Sequence, residues 1–78
     1  VDFLIRENNK VSELIQVCLD LKNVETWQRE ISSLLKAGED LKCKKLTIVT
    51  WDEEKEENIK GRKVVFTPLW KWLLGDNT

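Results

Sequence analysis

The sequence has no histidine and no methionine, only three glycines and only two cysteines. Each shortage removes a class of chemistry. Without histidine, a cysteine nucleophile has no imidazole to activate it. The glycines, Gly38, Gly61 and Gly75, stand far apart, so no phosphate-cradling P-loop lies within these 78 residues. Cys18 and Cys43 are widely separated and lack other soft ligands, which argues against a thiolate metal centre. Both sit in apolar surroundings, where free cysteine behaves as a small buried hydrophobe. No secretory leader pattern and no bilayer-spanning apolar run is found, so the expected setting is reducing and cytoplasmic, with no membrane partner.

An excess of one charge is also missing. Thirteen basic residues face fourteen acidic ones, for a net charge of −1. Non-specific duplex binding rests on clustered Lys and Arg. The densest basic run, Lys42, Lys44 and Lys45, is followed by an acidic stretch from Asp52 to Glu57, so charge does not support DNA as a partner. Charged residues reach 35%, rich in Lys and Glu, a composition shared with thermophilic proteins. With no initiator methionine and a strand-like pattern already at Val1, the expectation is one domain over residues 1–78, forming a C-terminal fragment of a longer protein. A domain of this size buries only about 60–65% of its unfolded surface, which leaves a thin margin of stability.

What is present is patterned. Val1 to Ile5 is a short apolar run, and Glu7-Asn8-Asn9-Lys10 reads as a hairpin turn, because Asn tolerates positive φ. Val11 to Leu21 follows, apolar at most positions from Leu14 onward, as expected of a central strand covered on both faces. Asn23 is placed to cap a helix, with Glu25 in its first turn. Val24, Trp27, Ile31, Leu34, Leu35, Gly38 and Leu41 then recur at helical spacing and span an arc of roughly 120°. Leu46 to Trp51 predicts a third strand, 52–60 a charged loop, Lys63 to Thr67 a fourth strand ended by Pro68, and Leu69 to Leu74 a short helix stopped by Gly75. The expected fold is therefore α/β: β-hairpin, helix, β, β, short helix, with the third strand parallel to the second in a mixed sheet. Trp27 and Trp51 are expected in the core. In Leu69-Trp70-Lys71-Trp72-Leu73-Leu74 only Lys71 is polar, so Trp70 and Trp72 either bury on several sides or meet a partner.

An acid opening one hairpin strand, followed by a polar-x-polar motif in the next, resembles the PD-(D/E)XK nuclease superfamily; here these are Asp2 and Gln16-Val17-Cys18. Taken with Val1-Asp2-Phe3, Leu14 to Cys18, Glu25-Thr26 with Arg29-Glu30-Ile31, Ile48 to Asp52 and Pro68 to Leu73, nearly the whole chain is similar to the C-terminal domain of prokaryotic, largely archaeal, AAA-type ATPases. The resemblance implies a restriction-endonuclease-like topology, and an ATP-binding parent protein whose upstream ATPase portion is the domain's natural partner. It also implies a Mg²⁺ site, with Asp2 and Gln16 as its metal-binding positions and Cys18 where the catalytic lysine is usual. A thiol there carries no positive charge and does not suit a hard cation. Lys22, roughly 13 Å beyond Cys18 along an ideal strand, is far for a substitute, while Asp20, about 7 Å beyond, has the parity to support a metal. The favoured function is a non-catalytic accessory or interaction domain with a degenerate site. Mg²⁺-dependent DNA cleavage through Asp2 and Gln16 is the enzyme alternative. Self-association as a homodimer, through an open sheet edge and the Trp70/Trp72 tail, is the third.

Overall fold

The computed structural model describes residues 1–20 and 22–75. It forms a small α/β domain with a five-stranded mixed sheet and two helices. In chain order these are β1 (Phe3–Glu7), β2 (Lys10–Val17), α1 (Val24–Asp40), β3 (Leu46–Thr50), β4 (Lys55–Ile59), β5 (Arg62–Pro68) and α2 (Leu69–Leu73). The strands lie in the order β1-β2-β3-β5-β4. β2, β3 and β5 run parallel, while β1 and β4 close the two sides as antiparallel hairpin partners. No helix among the described residues is long and apolar enough to cross a membrane.

The expected parallel pairing of the second and third strands is present, with Leu14 beside Leu46 and Gln16 beside Ile48. Three expectations change. The charged stretch 52–60 is not all loop: Lys55–Ile59 forms β4, antiparallel to β5. A backbone ladder is indifferent to side-chain polarity, so a charged segment serves as an edge strand once β5 offers an unpaired flank. The second strand ends at Val17, although Cys18 still donates its amide to Val49 O at 2.9 Å; Leu21, the expected end of that run, lies outside the described residues. Trp51, expected in the core, is 63% exposed, because β3 stops one residue earlier and the chain turns away.

α1 forms where its sequence signals place it. Asn23 accepts the amide of Thr26 at 3.1 Å, and Glu25 occupies the first turn, where a negative charge suits the dipole. Ile31, Leu34, Leu35 and Gly38 are its buried residues, while Val24 and Leu41, at its two ends, remain exposed. Gly38 allows the close approach to the sheet, since a Cβ there would lie 2.8 Å from Leu46 Cδ2 and 3.1 Å from Cys43 O. Beneath the helix the register aligns Leu14, Leu46 and Val64 in one row and Gln16, Ile48 and Phe66 in the next. These two rows are therefore apolar except where Gln16 enters.

Candidate functional site

Asp2 immediately precedes β1, and its amide donates to Ile15 O at 3.0 Å, which brings its side chain against β2. The carboxylate Oδ2 accepts the Val17 amide at 2.9 Å and Gln16 Nε2 at 3.3 Å. Gln16 Nε2 also donates to Glu30 Oε2, which descends from α1. Three elements thus meet at a single side chain. Gln16 is only 6% exposed, and its Oε1 is buried with no hydrogen-bond partner among the described residues. Such an orphan is uncommon, because leaving a buried acceptor unpaired costs about 1–3 kcal/mol.

Cys18 stands two residues beyond Gln16 on the same side of the chain and is buried. Burial pushes its thiol pKa up, and Glu30 and then Asp20 push it further in the same direction. The thiol is therefore held neutral, and both charges acting on it are negative. It points weakly at Asp20 O, with sulfur 3.8 Å away. Asp20 does not extend along the strand as ideal parity implied: β2 ends at Val17, and the Asp20 carboxylate accepts the Lys22 amide at 2.9 Å. Lys22 is exposed.

The structure thus brings Asp2, Gln16 and Cys18 into one neighbourhood, as their sequence pattern suggested, and adds Glu30. Its signal was present but faint. Glu30 borders the apolar stripe of α1, one residue before Ile31 and one turn after Trp27, where a side chain can reach the sheet. The two tail tryptophans separate. Trp72 is half-buried, with its ring centroid 5.3 Å from that of Phe3, whereas Trp70 is 57% exposed.

Among the described residues no three of His, Cys, Asp or Glu converge in a metal-holding arrangement. The Asp2–Gln16–Glu30 set would need the Gln16 amide oxygen as a third donor. Two carboxylates and an amide oxygen are hard ligands of the kind Mg²⁺ prefers. Exchanging the amide's nitrogen and oxygen positions would turn the orphaned Oε1 toward both acids.

The other face of the sheet carries a second polar feature. Glu13 is buried there, accepting the Thr47 hydroxyl at 2.7 Å, with Lys45 Nζ 3.7 Å away. An open trough of about 450 Å³ passes over them, bounded by Glu54, Glu56, Thr67 and Lys71. Lys71 of α2 pairs with Glu54 across it. Both signs of charge line the trough, so it favours no particular ligand.

No family model, no curated protein and no solved structure matches this chain.

Proposed function

We propose that the chain is a non-catalytic accessory domain of an AAA-type ATPase, built on a restriction-endonuclease-like scaffold whose hydrolytic site has become a structural tie. Hairpin, helix and parallel strand in this order support the scaffold, as does Asp2 lying against Gln16. The loss of catalysis is carried by one observation: at the position where a nuclease of this type presents a lysine, a neutral buried thiol faces two negative charges. Phosphodiester hydrolysis builds negative charge on the phosphorus oxygens, and preorganised positive charge is what lowers that barrier. Cys18 supplies none. Gln16 instead spends its two donors on Asp2 and Glu30, fastening β1 and α1 to β2.

The test is incubation of the chain with supercoiled plasmid in Mg²⁺ and in Mn²⁺. No nicking is expected from the wild type or from Asp2→Ala. Nicking that disappears in Asp2→Ala would sink the non-catalytic reading.

A second reading keeps the metal without the reaction. It requires the Gln16 amide turned over, so that the oxygen now orphaned, rather than Nε2, meets Asp2 and Glu30; a divalent cation would then satisfy this oxygen and both carboxylates together. When bound, Mg²⁺ would neutralise the two acids and polarise a phosphate oxygen. Asp2, Gln16 and Glu30 would hold it. Calorimetric titration with Mn²⁺ should then give heat that is lost in Asp2→Ala and in Glu30→Gln. Heat that persists in both variants would place the cation elsewhere.

A further inference from the structure

The exposed apolar residues of this chain are not spread evenly. Phe3, Leu4 and Ile5 of β1 are 48%, 39% and 39% exposed, and Trp70, Leu73 and Leu74 at α2 are more exposed still. Trp72 of α2 touches Phe3, with ring centroids 5.3 Å apart, so α2 reaches the face of β1. Among the described residues, β1 has only β2 as a strand neighbour. Its outward backbone groups therefore form an open ladder, flanked by aliphatic and aromatic side chains and by no central charge. Such an edge invites another strand.

We propose that two copies of this chain associate by antiparallel pairing of β1 with β1 of the second copy, about a twofold axis at Leu4. The sequence of the strand is self-complementary in that register. Leu4 faces Leu4, Phe3 faces Ile5, and Arg6 of the second copy comes opposite Asp2, whose Oδ2 is held by Val17 and Gln16 of its own copy and whose Oδ1 is the oxygen left to meet it, twice by symmetry. Opposite charges and apolar pairs directly across an antiparallel ladder are the favourable combinations. Facing residues also agree in side: Phe3 and Ile5 alternate with Leu4, so the pairing keeps every side chain on its present face. The irregularity of the β1–β2 hairpin does not interfere. Between Ile5 and Arg6 the extra residue is Ser12, on β2, and its hydroxyl donates inward to Ile5 O at 3.1 Å. Pairing in this register produces a ten-stranded sheet across two copies and brings the Phe3–Trp72 contacts of both toward the shared axis. This proposal goes beyond the accessory role and does not depend on the nuclease-like reading.

Sedimentation equilibrium of the whole chain at concentrations up to hundreds of micromolar tests it. The expected mass is twice the 9.2 kDa of one copy. Leu4→Lys, which sets two ammonium groups against each other at the axis, should leave only monomer, with its circular dichroism spectrum unchanged. Should that variant lose its fold, Arg6→Glu serves in its place: by facing Asp2 of the second copy it should weaken dimerisation about tenfold, while Arg6→Lys retains it. A monomer at every concentration overturns the proposal and leaves the edge to a different occupant. A dimer that tolerates both Leu4→Lys and Arg6→Glu, or that Trp70→Ser alone dissolves, overturns it as well.

Discussion

Two hairpins flank the lone strand β3, and they share a turn while differing in almost everything their outer strands present. β1–β2 closes through Asn8 and Asn9 at φ 52° and 66°; β4–β5 closes through Lys60 and Gly61 at φ 52° and 78°. Both are two-residue loops with left-handed backbone at both positions, the geometry that matches the twist of the strands they join. The inner strands also agree, with Leu14 and Ile15 of β2 and Val64 and Phe66 of β5 all buried. The outer strands do not. β4 reads Lys-Glu-Glu-Asn-Ile, and its Lys55 pairs with Glu53 and Glu57 while Lys63 of β5 pairs with Glu56. β1 reads Phe-Leu-Ile-Arg-Glu. Surface ion pairs of this kind contribute little to stability, but charge along an edge deters strand addition. The hairpins thus perform one task in the core and opposite tasks at the boundary.

Core truncation should erase the difference between them. Leu14→Ala in β2 and Phe66→Ala in β5 should each cost about 3 kcal/mol or more, since both side chains are fully enclosed under α1. Urea unfolding measures this. A cost below about 1 kcal/mol at either position would mean that one hairpin is packed less tightly than its burial indicates.

The turns should separate the hairpins by a smaller amount. Gly61→Ala meets no atom within 4 Å, so its cost is backbone strain alone, about 1 kcal/mol. Lys60 already bears strain of that kind, and Lys60→Asn should recover about 0.5 kcal/mol. Asn8→Ala and Asn9→Ala should each lose stability, as Asn accepts positive φ and Ala does not. Melting temperatures of the four variants check these signs. A gain on Gly61→Ala would show that the turn relaxes to another type.

The smallest effect belongs to the polar cluster on the β2 side, which β5 lacks. Because the folded-state pKa of Cys18 is raised, the neutral thiol's contribution is whole below its ordinary value and is lost as pH rises through the raised one. Stability should therefore fall less steeply above pH 9 in Cys18→Ala than in the parent. Glu30→Gln removes the neighbouring negative charge that raises the thiol more strongly and should speed alkylation of Cys18 at pH 8. Equal alkylation rates in parent and variant would show that burial alone restrains the thiol.

Much of this arrangement is legible along the chain, because it depends on local spacing. The helical stripe from Trp27 to Gly38, the cap at Asn23 and the Asn8-Asn9 turn each act within a few residues. Asp2 and Gln16 were brought together in sequence only by the family resemblance: the register set by the turn alone would place Asp2 opposite Ile15, and the irregularity between Ile5 and Arg6 shifts it by one residue to Gln16. Glu30 was not legible, because its approach to Gln16 depends on the angle at which α1 crosses the sheet. Trp51 illustrates the same limit from the other side: its apolarity says it can be buried, and only the end of β3 decides that it is not.

The sequence by itself determined which segments could carry a core, through periodicity of apolar side chains, and which turns could close hairpins, through residues that tolerate positive φ. Tertiary structure decided that 55–59 is a strand, that β5 inserts between β3 and β4, and that the apolar β1 rather than the charged β4 carries the exposed aliphatic edge. The reason is physical. Apolar patterning records which face of an element turns inward, whereas strand pairing joins backbone groups that every residue but proline possesses. Strand order therefore emerges only when the elements compete for the same neighbours.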